Sequence, residues 1–308
     1  MMVFKGSWEG WSDLSGPTSV TIGVLDGVHL GHRALLDRLD AGSTRTVLTF
    51  DPHPVEVLRP GTLPRLITTI SERLVLLEQA PVDCVGVLDL AEIREQSPEE
   101  FVTRVLVEKL HTTHVVVGED FRFGKDRTGD VNLLTRLGGD LGFVVESIPL
   151  VAANGAPVSS SRVRELIESG DVAAANALLG SRFELSNEVV AGEKRGRGLG
   201  FPTANLRPPG RKVIPGIGVY SCFAMVDGTV HDAAVNVGVR PTFGAGELII
   251  EAFLIDFEGD LYGNEMTLQF VQYLRPELEF STIDDLVNQM TQDVADTRRV
   301  LEAARSGI

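Results

Sequence analysis

Between residues 20 and 180, short β-branched runs alternate with stretches of helical period. VTIGV, TVLTF, DCVGVL, HVVVG and FVVES read as strands, with helices between them. The clearest helix starts at Ser97, where Pro98 suits the first turn and Glu100 completes a capping box ahead of FVTRVLVEKL. Strands alternating with helices build a parallel sheet with right-handed crossovers, so this half is predicted to be an open α/β domain. Short helices over 161–169 and 172–179 close it, and Gly180 supplies the stop. Beyond the break the pattern changes to FELSNEVVAG, GVYSCFAMVDG, TVHDAAVNVGV, ELIIEAFLIDF and EMTLQFVQYL, punctuated by Asp227-Gly228 and Glu258-Gly259-Asp260 turns. That is an antiparallel β domain. The last segment opens on Ser281-x-x-Asp284 and carries Ile283, Leu286, Val287, Met290 and Val294 on one face, predicting a helix that covers a small barrel. The expected fold is therefore α/β plus β, with domains over 1–182 and 183–308.

A length of 308 residues suits two cores better than one. No apolar run approaches the roughly 18 residues of a membrane span, and the opening MMVFKGSWEGWSDLSG lacks the basic and apolar parts of an export signal. A cytosolic protein with no membrane partner is expected. Cys84 and Cys222 sit in apolar runs of different halves and read as two unpaired buried thiols. A net charge of −15 argues against wrapping nucleic acid, whose binding draws on lysine and arginine. An anionic small molecule would have to be held by local devices such as loop amides, a few arginines or a divalent cation.

In open α/β sheets ligands gather beyond the carboxyl ends of the strands. The loops there are DGVHLGH, DPHP, GEDFRFG and, further on, SSSRVR, while the opposite loops DAGSTR and EQAPVD carry nothing comparable. One shared pocket is predicted. In the first loop Gly23 and Gly27 let the backbone approach a ligand, Asp26 lies between them, and His29 and His32 can present imidazoles to a phosphate. Such a histidine pair also arises where a loop merely ends and a helix starts, and Asp26 with His53 leaves a metal reading open. The hydroxyls of Ser160 and Ser161 can cap a helix or bind an anion, with Arg164 one turn on to add charge. Phe121 and Phe123 are core residues if strand-like, or can stack on a planar ring if the loop is open.

A second candidate lies about 170 residues on, in EKRGRGLGFPTANL. Its glycines Gly196, Gly198 and Gly200 match neither G-x-x-x-x-G-K-[ST] nor G-x-G-x-x-G and read equally as a solvated turn, and the segment from Gly118 to Lys125 is not a Walker loop either. Thr203 and Asn205 alternate on an extended segment, so both can offer oxygens to a hard cation from one side. Glu251 is an acid in an otherwise apolar strand, which suits a base or an outward-facing residue of a half-buried strand.

Taken together, TIGVLDGVHLGH, TFDPHP, VVVGEDFRFG, SSSRVREL, RGRGLGFPTANL, NVGVRPTF and FEGDLYG resemble, in order and over almost the whole chain, the bacterial bifunctional riboflavin kinase/FMN adenylyltransferases, also called FAD synthetases. The resemblance implies a nucleotidylyltransferase-like first domain that adenylylates FMN to FAD. His29, His32, Ser160, Ser161 and Arg164 would then clamp ATP phosphates, and Asp120, Phe121 and Phe123 would contact the flavin. It implies a riboflavin kinase in the second domain, with Thr203 and Asn205 holding Mg²⁺ and ATP phosphates under the glycine-rich flap and Glu251 as the base. Asn236, Arg240 and Tyr262 are supporting candidates. Riboflavin, FMN and ATP are the implied small-molecule partners. The chain departs from the family pattern at Leu25, commonly aromatic, at Ser161, commonly threonine, and at Phe253, frequently histidine. Two other readings follow: a kinase whose adenylyltransferase is weakened by Leu25, and a flavin-binding regulator without turnover.

Overall fold

The computed structural model describes the chain except Asp13, Ser15, Pro60, Leu63, 193–199, Pro208, Pro209, 241–246, Gly307 and Ile308, and except the side chains of Arg240, Glu247 and Ser306. The predicted flap glycines Gly196 and Gly198 lie outside the described residues. The chain divides into two compact units, Met1–Ser160 and Ser161–Ile308.

The first unit carries strands β1 (Met2–Phe4), β2 (Thr18–Ile22), β3 (Thr44–Phe50), β4 (Cys84–Leu88), β5 (Thr112–Gly118) and β6 (Val144–Ile148), followed by a hairpin of β7 (Ala152–Ala153) and β8 (Ala156–Pro157). Its helices are α1 (Leu30–Leu36), α2 (Pro54–Leu58), α3 (Ile70–Glu78), α4 (Leu90–Ile93), α5 (Pro98–Phe101) and α6 (Val131–Leu141). All sheet pairings are parallel, in the order β1-β4-β3-β2-β5-β6. Alternate strand residues fall into two separate apolar clusters. Leu48, Val115 and Val117 enter one, and Val47, Val85 and Val116 the other. A sheet buried on both faces explains why these strands read as continuous apolar runs. The Ser97–Glu100 capping box is present, and the helix continues through Val102–Lys109 with π-type turns. β1 escaped the sequence because three residues at a chain end carry no periodicity.

Helix α7 (Ser160–Glu168) starts on the last residue of the first unit and continues into the second, followed by α8 (Val172–Leu179), which Gly180 ends in the left-handed conformation. Both helices bond to the barrel and its flanking loops. Gly216 N–H donates to Ile167 O at 3.0 Å, Asn176 Nδ2 to Phe270 O at 2.8 Å, and Phe183 N–H to Asn176 Oδ1 at 2.7 Å. The barrel is closed in the order β10-β13-β12-β11-β14-β9, from β9 (Phe183–Val190), β10 (Ala204–Leu206), β11 (Gly218–Val226), β12 (Thr229–Arg240), β13 (Glu247–Leu254) and β14 (Glu265–Arg275). Five of these six follow the predicted runs. β10 is the short strand that pairs with both β9 and β13 and so closes the barrel.

Helix α9 (Ile283–Ser306) packs on β11, β12 and β14 as expected, with Leu286, Val287, Met290 and Val294 of the predicted face half-buried, but it starts one residue later. Thr282, one residue beyond the predicted cap, accepts from Asp285 N–H at 3.1 Å. Ile283 is 65% exposed, whereas Asp293, Thr297 and Leu301 are buried. Asp293 is tolerated there because Arg275 grips it with two bonds, at 2.8 and 2.6 Å. Cys84 and Cys222 are free and buried, and burial pushes the Cys84 thiol up to about 11.

Candidate active sites

The strand order reverses beside β2: β3 and β4 lie to one side and β5 to the other. The loops leaving β2 and β5 therefore flank the crevice where open α/β sheets bind ligands. These are the histidine loop and the EDFRFG loop. The sequence had placed both on one rim, and the strand order makes them neighbours.

The histidine loop is strained and anchored from below. Leu25 and Val28 both adopt left-handed backbone, at φ 52° and 41°, which is unfavourable for a side chain with a Cβ and most so for β-branched valine. Both are buried in the cluster with Leu36, Val47 and Val116, so packing offsets the strain. Leu25 thus acts as a core anchor beneath the loop. Asp26 anchors it as well: its carboxylate accepts from Ile67 N–H (3.1 Å), Thr68 N–H (2.8 Å) and Thr68 Oγ1 (3.0 Å). The guanidinium of Arg73 stands 4.0 Å away, and the two side chains are 1% and 3% exposed. Arg73 also donates to Thr49 Oγ1 and Phe50 O, tying the loop to the end of β3. Burial lowers the Arg73 pKa against the attraction of Asp26 and Asp51. The glycine amides have partners already: Gly23 N–H donates to Leu48 O and Gly27 N–H to Thr68 Oγ1, both at 3.0 Å. Neither glycine amide is therefore left to a ligand.

His29 and His32 stack with ring centroids 3.6 Å apart and planes 16° from parallel. Gly31 makes room for this, since a Cβ there would stand 3.2 Å from the His29 ring. Burial, the His29 ring and the Arg73 guanidinium hold the His32 imidazole well below the usual histidine range, so it is neutral at pH 7. Its Nδ1 is buried with no hydrogen-bond partner among the described residues. A neutral imidazole meets a phosphate through an N–H donor, and an arriving polyanion favours its protonation. No group of three or more His, Cys, Asp or Glu that could hold a metal ion occurs among the described residues. The Asp26 carboxylate is engaged as described, and His53 Nδ1 accepts from Val55 N–H at 3.1 Å as the cap of α2.

Ser160 comes to the same loop from 134 residues away, its hydroxyl donating to Asp26 O at 3.0 Å. Ser161 is exposed and Arg164 half-buried on the same helix, in the second unit. In the EDFRFG loop, Phe121 stacks on Phe123 at 5.5 Å. Phe123 is buried against Phe101 and belongs to the core, whereas Phe121 is half-buried and Asp120 exposed. Of the three proposed flavin contacts, Phe121 and Asp120 keep surface for a ligand.

In the second unit the register assembles a row. Asn205 on β10 pairs with Glu251 on β13, which pairs in turn with Asn236 on β12. Their strand neighbours Ala204, Leu206, Ile250, Ala252, Val235 and Val237 are buried inside the barrel, so the row lies on its outer face. Glu251 therefore alternates outward, as a half-buried strand dictates, yet stands between two amides. Asn205 is nonetheless buried, because Gly192 lies against it so closely that a Cβ would overlap its amide. Thr203 is half-buried two residues before Asn205 and on the same side. Phe201 and Phe253 meet edge-to-face at 5.2 Å. Gly200 takes φ 85°, and Tyr262 is exposed. Thr203 and Asn205 offer neutral hard oxygens, which suits Mg²⁺, an ion bound through few protein ligands with water and phosphate completing its shell.

Sequence reading missed Arg73, Thr68 and Gly31. Thr69-x-x-Glu72 is a legible capping box, and it forms. Nothing in the helix pattern says that Arg73 points inward.

A family model described as FAD synthetase matches residues 12–162, and one described as riboflavin kinase matches residues 179–301. The bifunctional riboflavin kinase/FMN adenylyltransferase of Pseudomonas fluorescens is 40% identical over 90% of this chain and 91% of its own length. That of Listeria monocytogenes is 34% identical over 94% of both chains, and that of Escherichia coli K12 is 36% identical over 89% and 90%. A solved Streptococcus pneumoniae structure, titled a macrolide-efflux protein, superposes with TM-score 0.88 at 27% identity over 97% of this chain and 99% of its own. Among the described residues no helix is long and apolar enough to cross a membrane. With both family models matched in tandem and relatives above 30% identity over nearly the full length, the chain belongs to the bifunctional riboflavin kinase/FMN adenylyltransferase family.

Proposed function

We propose that the chain makes FAD from riboflavin in two ATP-dependent steps, with the functional halves 1–182 and 183–308. In the second half Glu251 takes the proton of the terminal ribityl hydroxyl as that oxygen attacks the γ-phosphorus of ATP, giving FMN and ADP. Thr203 and Asn205 would hold Mg²⁺, which supplies neutralisation of phosphate charge when bound. The observation that supports this reading is the Asn205–Glu251–Asn236 row, in which the proposed base pairs across the ladder with the proposed cation ligand.

In the first half the FMN phosphate attacks the α-phosphorus of ATP, giving FAD and pyrophosphate. No covalent enzyme intermediate is required. Alignment and charge offset are what the protein must supply. His29 and His32 donate N–H groups to the polyphosphate, and Asp26, Arg73 and Thr68 hold the loop that carries them. Ser160 takes a phosphate contact that the resemblance implies, and Asp120 and Phe121 the flavin. The weakened-adenylyltransferase alternative is not favoured, because both family models match the chain.

The test is chromatographic: purified protein with riboflavin, Mg²⁺ and ATP should yield FAD. FMN accumulating without FAD would leave only the kinase, and unchanged riboflavin would leave a flavin-binding protein. Omitting Mg²⁺ should abolish both steps.

A further inference from the structure

We infer that Asn236 positions the polyol chain of the flavin substrate and that Glu277 and Gly238 aim it, an inference that rests on the kinase reading above. Asn236 stands directly opposite Glu251 in the β12–β13 ladder, and such residues project from one face with Cβ atoms about 4.5–5.5 Å apart. The two ends of its amide are treated differently. Nδ2 donates to Glu277 Oε1 at 3.0 Å, while Oδ1 is buried and has no hydrogen-bond partner among the described residues. A carboxylate only accepts, so Glu277 holds the nitrogen towards itself and fixes where the oxygen points. Gly238, two residues on and on the same face, is what admits Glu277: a Cβ there would overlap the carboxylate and stand 3.2 Å from Asn236 Nδ2.

A buried amide oxygen left without a donor is unfavourable, and a bound ligand that brings one removes the penalty. The ligand group must carry an O–H or N–H. A fully ionised phosphate has none, whereas every carbon of a ribityl chain beyond the first carries a hydroxyl. Beside a base that deprotonates the terminal hydroxyl, an acceptor for a second hydroxyl fixes the chain against rotation.

Steady-state kinase assays on the full chain test this. Asn236→Ala should raise the riboflavin KM about tenfold, the scale of one hydrogen bond, with a smaller change in kcat and none in the MgATP KM. Lumiflavin, which has the ring without the polyol, should inhibit parent and variant equally. Glu277→Ala and Gly238→Ala should raise the riboflavin KM in the same direction by about threefold, since the contact they remove is exposed. Glu277→Gln, whose amide oxygen still accepts, should lose less than Glu277→Ala. An unchanged riboflavin KM, a parallel loss of lumiflavin affinity, or a shift in the MgATP KM instead would overturn the inference. If Asn236→Ala does not fold, the exposed Glu277→Ala carries the same test. Glu251→Ala is assayed alongside: activity there sinks the kinase assignment and this inference with it, while an inactive Glu251→Ala beside an unaffected Asn236→Ala sinks this inference alone.

Discussion

Replacing Asp26 with asparagine tests whether the histidine loop is held by the buried Asp26–Arg73 pair. The substitution preserves shape, but the amide nitrogen must face one of the Ile67 and Thr68 donors that the carboxylate accepts, and Arg73 keeps a buried charge with the nearer of its two acidic partners lost. Breaking one side of a buried pair costs about 3–5 kcal/mol, a large share of the roughly 5–15 kcal/mol that holds a domain folded. In a unit of 160 residues, that corresponds to a melting temperature lower by roughly 6–20 °C. Calorimetry of the full chain should show this loss in its first transition, and conversion of supplied FMN to FAD should fall while FMN formation persists. Asp26→Asn with Arg73→Met should recover part of the stability, because neutral, well-packed replacements of a buried pair are often tolerated. A single variant melting within about 2 °C of the parent, or a double variant no more stable than the single, would refute the reasoning.

Three further outcomes follow from the same geometry. His32 is neutral in the folded chain and titrates near 6.5 when unfolded, so below about pH 6.5 the unfolded state binds a proton that the folded state does not. Stability should drop by up to about 1.4 kcal/mol per pH unit as pH falls towards the folded pKa, and a urea titration at pH 7 and 5.5 should show that His32→Gln flattens this dependence. Glu251→Gln should slow FMN formation by about 10²–10⁴, the usual worth of a general base, with FAD still formed from supplied FMN; equal loss of both steps would contradict separate sites. Gly192→Ala, whose Cβ would overlap the Asn205 amide, should depress the kinase step and raise its Mg²⁺ requirement, and unaltered Mg²⁺ dependence would remove Asn205 from the cation site.

Strand and helix identity was legible wherever a segment was long enough to show its period, as in β11 to β14 and in the Ser97 capping box. Length set the limit: β1, three residues long, went unseen, and the equally short β10 was legible only as the extended segment that carries Thr203 and Asn205. Phe123 turned out to be core, because the pattern of a segment fixes its faces but not which of them meets a partner, and Ile283 is exposed as the first residue of its helix.

By itself the sequence determined the order of elements and the two chemically distinct halves, because periodicity and turn chemistry act over a few residues, while the family resemblance carried by its motifs nominated His29, His32, Thr203, Asn205 and Glu251. Tertiary structure decided what surrounds them: β5 beside β2, Arg73 turned inward on Asp26, and Asn236 opposite Glu251. Those placements depend on strand order and barrel register, which are fixed by pairing between segments tens of residues apart and leave no local trace in the chain.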